Sequence, residues 1–254
     1  MKLTIPLLKF YFHDGVRSSA AEIIPHLIRC LSGDPQAQTV LWNMLKNEIL
    51  IATEAEPEAE VKCEQLFAIA SSIELLPVEA FDVETIKKIT TVVEKVFTEH
   101  FERSAERAEQ RKDEDFDEVI EQQLWDEMEE DNYVLTKAAD VIHALLKTQG
   151  ANYLQFMEPA IIPRVTKLIG PDRHWQERQW GLCIWDDIME FTGGAAVKYQ
   201  HLFVPNMLNY LSDTSAEVRQ AASYGCGIMA QHGQEAFARK FMRNSIRQCH
   251  HDVI

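Results

Sequence analysis

Asp213-Thr214-Ser215-Ala216-Glu217-Val218-Arg219-Gln220-Ala221-Ala222-Ser223-Tyr224-Gly225 is the stretch on which the reading of this chain turns. A turn with an aspartate precedes a helix whose first turn holds Val218 and Arg219, and the small residues Ala222 and Gly225 let a second helix come close. This is the signature of one helical hairpin in a repeat array, and the rest of the chain reads as weaker copies of it.

A basic residue early in a similar apolar helix recurs at Arg17, Lys62, Lys137, Arg178 and Arg219, at gaps of 45, 75, 41 and 41 residues. Paired-helix repeats of the HEAT and armadillo kind have periods of about 40 to 47 residues, so the long gap is one period plus roughly 34 inserted residues. Pro163 and Pro205 lie 42 apart and fall in the first helix of their hairpins, where they bend or shorten it. Lys62 and Lys137 match less closely, because Gln65 and Asp140 stand where the other copies have a small residue.

The spacing therefore predicts an all-α HEAT-repeat superhelical solenoid of about six hairpins, a single array over residues 1–254. Its repeats are expected at 1–33, 35–76, 82–149 with an acidic insert at 113–131, 152–192, 195–232, and an incomplete copy at 234–254 whose partner helix is missing. Residues 3–12 are apolar nearly all round and predict a helix buried between neighbours. The mixed-charge run Glu102-Arg103-Ser104-Ala105-Glu106-Arg107 is expected to project into solvent.

The net charge of −15 is local. Asp113, Glu114, Asp115, Asp117, Glu118, Glu121, Asp126, Glu127, Glu129, Glu130 and Asp131 fall in one 19-residue run without a basic residue, leaving the other 235 residues at net −4. A dense run of one sign repels itself and is expected to stay disordered, with Phe116, Val119, Ile120, Leu124 and Trp125 available for one amphipathic turn or a partner. No basic stripe suits nucleic acid, and no run of 18 apolar residues suits a membrane span. The amino terminus lacks the apolar stretch and cleavage site of a secretory signal. With five scattered cysteines, Cys30, Cys63, Cys183, Cys226 and Cys249, this points to a reducing compartment.

Glu177-Arg178-Gln179-Trp180-Gly181-Leu182-Cys183-Ile184-Trp185-Asp186-Asp187-Ile188-Met189-Glu190 and Glu217-Val218-Arg219 through His232-Gly233 resemble consecutive HEAT repeats of the importin-beta superfamily, in particular its importin-5 branch. Leu7-Leu8-Lys9-Phe10-Tyr11-Phe12-His13-Asp14-Gly15-Val16-Arg17 and Asp113-Glu114-Asp115-Phe116-Asp117-Glu118 match in kind and order. The resemblance implies a stretch from the carboxy-terminal half of a longer nuclear transport receptor. Such a receptor carries cargo with basic localisation signals through the pore, contacts Phe-Gly nucleoporins, releases cargo to Ran-GTP and moves between cytoplasm, nuclear envelope and nucleus. The family's main Ran surface lies in amino-terminal repeats without counterpart here, and the Cys249-His250-His251-Asp252-Val253-Ile254 end does not continue a repeat.

Asp186, Asp187 and Glu190 sit on a second helix, the kind that lines the concave side of such arrays, and are the candidate surface for Lys- and Arg-rich peptides; the alternative is a solvated polar face. Trp185 is the candidate aromatic neighbour for a bound basic side chain, or else core. Arg178 and Arg219 are expected to bond the turn aspartates Asp172 and Asp213 of their own or adjacent repeats as a structural ladder, the alternative being ligand contact. The acidic segment is a candidate regulatory element toward basic cargo or Ran, or a solvated insertion. Adjacent His250 and His251 point apart on a helix and do not suit a metal, and no catalytic or phosphate-binding motif appears, so neither an enzyme nor a cofactor is expected. The other function in view is a static HEAT-repeat scaffold with no transport role.

Overall fold

A computed structural model of the chain describes residues 4–232. The expected unpartnered helix at 234–250 and the terminal Cys-His-His-Asp group lie outside them. The described residues contain helices and no strand: α1 (Thr4–Leu7), α2 (Asp14–Cys30), α3 (Pro35–Ala55), α4 (Ala59–Leu75), α5 (Val83–Gln110), α6 (Glu118–Gln149), α7 (Leu154–Ala160), α8 (Ile162–Leu168), α9 (Trp175–Thr192), α10 (Gln200–Asn209) and α11 (Ala216–His232). The fold is all-α and of the HEAT-repeat class. The chain divides into two compact units, one of residues 1–149 and 153–164, the other of 150–152 and the residues from 165 on.

Local chemistry sets the helix starts. Asp34 accepts the N–H groups of Gln36 and Ala37 at 3.1 and 3.0 Å ahead of Pro35, whose missing donor costs nothing at the first helical position. Asp82 caps α5 through Thr85 N–H at 2.7 Å, and Asp117 caps α6 through Val119 and Ile120 N–H at 2.9 Å. Pro163 marks the break between α7 and α8 at Ile161; its missing N–H is the one that would have bonded the carbonyl of Pro159.

In the first unit the second helices of successive hairpins, α2, α4 and α6, pack side by side, and the first helices α3, α5 and α7 form another row. Ile24, Leu45, Ile49, Leu66, Ile69, Phe97 and Leu135 fill the space between the rows, and Trp42 tilts against Phe81 at 5.6 Å. Each such side chain contributes about 1.5 to 3 kcal/mol by leaving water, and none is buried within its own helix, so hairpins stabilise one another. In the second unit α9 packs on α11. A Cβ at Gly181 would stand 2.6 Å from Ile169 Cγ2, and one at Gly225 would collide with the Asp186 carboxylate, so both glycines set how closely α9 is approached.

Three expectations are corrected. Of the apolar segment expected at 3–12, the described residues 4–12 are helical only over Thr4–Leu7; Leu8 is buried, whereas Phe10, Tyr11 and Phe12 are 42, 52 and 93% exposed. With its aromatic residues exposed the segment gains little by burial, and so short a helix barely repays its nucleation. The run 102–107 projects into solvent only in part: it lies within α5, where Glu102, Ala105 and Glu106 are exposed but Arg107 turns inward and is 4% exposed.

The acidic insert is not disordered either, since α6 begins at Glu118 and runs unbroken for 32 residues. Its charge is answered locally. Arg103 and Arg107 from α5 both reach Asp131 at 2.5 Å, and Arg111 pairs with Glu121 at 2.9 Å. Glu118 and Glu121 lie in the first turn, where the helix dipole favours carboxylates, and Leu124 is buried.

Because Asp131 is the counter-charge of a buried guanidinium, Asp131→Ala is expected to cost about 3 to 5 kcal/mol in urea unfolding. Glu129→Gln, on the exposed face of the same helix, should change stability by less than about 0.5 kcal/mol.

Candidate functional site

Two arginine–carboxylate clamps organise the site-bearing helices, one in each unit. In the first unit Arg17, in the opening turn of α2, meets Glu56 in the turn before α4, Nε to Oε2 and Nη2 to Oε1 both at 2.9 Å. Both side chains are at most 3% exposed, and the guanidinium also caps the Phe10 carbonyl at 3.3 Å and lies 5.3 Å from the Tyr11 ring centroid. In the second unit Arg178, in the opening turn of α9, meets Asp213 in the turn before α11, Nε to Oδ2 at 3.1 Å and Nη2 to Oδ1 at 3.0 Å. It also donates to the Arg173 carbonyl and lies 5.5 Å from the Tyr210 ring, whose hydroxyl donates to the Ile169 carbonyl at 2.7 Å. The planar fork of arginine suits this two-point contact.

Arg219 reaches the backbone carbonyls of Asp213 and Thr214, at 2.7 and 3.0 Å, and not a carboxylate. No bond from Asp172 to either arginine is present among the described residues; Asp172 is exposed beside Gly170, and Arg178 spends its fork on the aspartate of the following turn. Burial pushes the Asp213 carboxyl up, but the Ser215 N–H and the Arg178 guanidinium outweigh it and hold the carboxyl below the usual range. Glu56 was missed from sequence. The signal was available, because it lies in the turn ahead of α4 as Asp213 lies ahead of α11.

The cargo-facing candidates separate by burial. Trp185 is fully buried, stacked on Phe203 at 4.7 Å and tilted on Tyr199 at 6.0 Å, so it is core and not a surface aromatic. Five-residue spacing turns it away from the stripe that carries Asp187 and Glu190. Those two carboxylates are half-buried on α9, and Glu190 accepts the hydroxyl of Tyr224, on α11, at 3.2 Å.

Asp186 is 3% exposed, and neither of its oxygens has a hydrogen-bond partner among the described residues. Burial first, then the charges of Asp187 and Glu190, push its carboxyl well above the usual range. Burial also raises the neighbouring thiols, Cys183 to about 12 and Cys226 to about 11, so both stay neutral.

Of the acidic segment, Asp131 is buried in its arginine pair and Glu121 is tied to Arg111. Asp113, Glu114, Asp115, Asp117, Glu118, Asp126, Glu127, Glu129 and Glu130 are exposed, on the capping turn and on α6. A cavity of about 210 Å³ at the base of this arm is lined by Glu58, Lys62, Arg103, Arg107, Glu127 and Asp131 among others. Its cations are already engaged: Lys62 pairs with Glu99 at 3.0 Å, and both arginines hold Asp131. Nothing in these arrangements sets a nucleophile beside a base, and no group of three His, Cys, Asp or Glu suited to a metal occurs among the described residues. No helix among them is long and apolar enough to cross a membrane.

Paired helices at this period, with a basic residue of one pair clamped to the turn of the next, define a HEAT-repeat protein. The family model for Importin repeat 6 matches residues 61–171, and that for the HEAT repeat matches residues 203–233. Importin subunit beta-3 of Saccharomyces cerevisiae is 26% identical over 241 residues, covering 93% of this chain and 22% of the relative. The probable importin-5 homolog of Dictyostelium discoideum is 24% identical over 279 residues, covering 100% of this chain and 24% of the relative. The chain thus spans under a quarter of the length of either. It belongs to the importin-beta superfamily.

Among solved structures, Kap121p superposes at a TM-score of 0.80 with 24% identity over 94% of this chain and 22% of that one. Kap121p bound to RanGTP superposes at 0.74 with 23% identity over 91% and 20%. Kap121p bound to the SUMO protease Ulp1p superposes at 0.79 with 24% identity over 94% and 22%. At these identities the likeness is one of fold.

The two unusual aspartates predict opposite responses to pH. Asp213, held low, contributes stability above the ordinary carboxylate range, which is lost as pH falls through its folded value. Asp186, held high, contributes stability that is complete below the ordinary carboxylate range and lost as pH rises toward its folded value. Asp186→Asn should therefore raise the thermal midpoint at neutral pH and remove a slope of up to about 1.4 kcal/mol per pH unit. Asp213→Asn should lower the midpoint at neutral pH and change it little in strong acid. Thermal unfolding followed by circular dichroism across pH reads both.

Proposed function

We propose that the chain is part of a nuclear transport receptor of the importin-5 branch, from its carboxy-terminal half, which binds cargo bearing basic localisation signals. The observation that carries this reading is the match to importin repeat 6 over residues 61–171 together with two half-buried carboxylates, Asp187 and Glu190, on one face of α9. The field of several carboxylates close together attracts a basic peptide segment and steers it in. Recognition is by contact, since exposed charges are screened beyond roughly 8 Å at physiological salt.

The exposed carboxylates of the acidic arm, Asp126, Glu127, Glu129 and Glu130 with the turn ahead of them, act in the same reading as a regulatory surface toward basic cargo or Ran. Ran in its GTP form governs release, mainly through repeats other than these, in keeping with the RanGTP complex of Kap121p. On the opposite row of helices, Val40, Met44 and Ile51 of α3 are 54, 57 and 51% exposed at helical spacing. They form the apolar stripe we assign to Phe-Gly segments of pore proteins, and such exposed apolar stripes on a polar surface mark contact sites. The receptor's place is then the cytoplasm, the nucleus and the pore between them. Binding without chemistry is the mechanism: no enzyme activity and no cofactor enter it.

Asp187→Asn with Glu190→Gln should weaken binding of a lysine-rich peptide by about tenfold in fluorescence anisotropy at low salt. Unchanged affinity would remove the α9 face from the cargo surface. Met44→Asp should abolish retention on immobilised Phe-Gly repeats while leaving peptide binding intact.

A further inference from the structure

We infer that the seam between α9 and α11 is a proton-held latch: it is closed while Asp186 carries a proton, and ionisation of Asp186 opens it locally, α11 giving way at residues 223–227. Asp186 is 3% exposed, and neither of its oxygens has a hydrogen-bond partner among the described residues. A neutral carboxyl so placed is unsatisfied, and a carboxylate there is far more costly, so ionisation requires water to reach it. The closed seam admits none. It is filled at that depth by the carboxylate itself and the Met207 thioether, and a Cβ at residue 225 would collide with both.

No neighbouring cation offsets the charge. On α9 the titratable groups around Asp186 are Cys183, Asp187, which has an interaction of its own, and Glu190, which holds Tyr224. On α11 they are Tyr224 and Cys226. The titratable residue of α10, His201, is exposed, and in the turn at 193–199 Lys198 lies over the Tyr199 ring, 4.8 Å from its centroid. Burial first, then the charges of Asp187 and Glu190, keep the proton on Asp186.

The side that yields is α11. On α9, Leu182, Ile184, Trp185, Ile188 and Met189 are all buried and pin that helix. Opposite them, Gly225 and Gly227 lie two residues apart inside α11, where each weakens the helix relative to alanine. The Ser223 hydroxyl bonds back to the Arg219 carbonyl at 2.7 Å, a contact that loosens and bends helices. A Cβ at Gly227 would meet nothing within 4 Å, so packing does not hold that point either. The buried carboxyl therefore faces a weak turn of the helix that covers it, and local opening is drawn from such turns.

Tyr224 stands in the middle of that turn, and its hydroxyl donates to Glu190 at 3.2 Å. Opening breaks this bond and frees the outer carboxylate of α9, so the latch and the face proposed for cargo share one contact. Each opening releases one proton from Asp186 to solvent. The opening equilibrium accordingly rises by up to about tenfold per pH unit between the ordinary carboxylate range and the folded value of Asp186, and levels off above it.

Cys183 and Cys226 flank Asp186, whereas Cys63 is buried in the other unit. Labelling of the 254-residue chain with N-ethylmaleimide, mapped by mass spectrometry between about pH 6 and about pH 9 and normalised to the exposed Cys30, therefore reads the seam. Labelling of Cys183 and Cys226 should rise by up to about tenfold per pH unit while that of Cys63 stays flat, and Asp186→Asn should remove the rise. Amide exchange measured in parallel should show residues 223–232 losing protection while α9 keeps it. Gly227→Ala, which stiffens the turn without a clash, should lower labelling of Cys226 roughly twofold to fivefold at every pH and leave the slope intact. A flat Cys226 profile in the wild type, a rise that survives in Asp186→Asn, or loss of protection in α9 in step with α11 would each overturn the latch. So would a Gly227→Ala chain that labels as fast as the wild type, because the yielding turn would then lie elsewhere. None of these measurements involves cargo, so the basic-cargo reading stands or falls separately.

Discussion

A guanidinium reaching from the first turn of one second helix to the carboxylate in the turn before the next is the contact on which each unit depends. Arg17 with Glu56 and Arg178 with Asp213 are two copies of it, almost identical in geometry although they share neither the acidic residue type nor the sequence separation. Apolar burial supplies most of the free energy of stacking, but it is non-directional and tolerates sliding. The two-point charge contact does not, so it fixes the register in which apolar faces meet. Breaking such a pair costs far more than its net contribution, because the surviving partner stays buried and uncompensated.

The same rule explains why α5 and α6 are long. A run of carboxylates on one helix is expected to melt it, yet Arg103 and Arg107 on the preceding helix and Arg111 just past its end answer it from the side. Asp131 anchors the base of the arm and Glu121 its tip, leaving the remaining acidic side chains exposed on a rigid support. Elements that carry charge on an ordered helix present it at fixed positions, which a disordered tract cannot do.

Asp186 is the exception to this economy of paired charge. Elsewhere a buried carboxylate has its guanidinium; here a carboxyl of similar burial has neutral thiols, a thioether and a glycine around it. Its loneliness is maintained by close packing of α9 on α11, and that packing depends on Gly225, a residue singled out in the sequence for a different reason, the close approach of helices. Space and charge at this position are thus set by one small residue.

The all-α repeat architecture, the helical pairs, the turns and the basic residue in the opening turns of α2, α4, α9 and α11 were legible in the sequence, because a period of about forty residues and a helical apolar stripe are one-dimensional properties; Lys137, expected early in its helix, lies well inside α6 because that helix starts at Glu118. The resemblance of the 177–190 and 217–233 blocks was likewise a matter of residue order. What only the tertiary structure decided was pairing and depth. Whether Arg178 took Asp172 or Asp213, that Glu56 was Arg17's partner, that the acidic run would be neutralised into a helix, and that of four adjacent candidates Trp185 and Asp186 turn inward while Asp187 and Glu190 face out, each depends on which neighbour lies across a gap. Sequence spacing gives the angle of a side chain on its own helix; the partner on the next helix, and hence burial and charge state, exists only once the helices have packed.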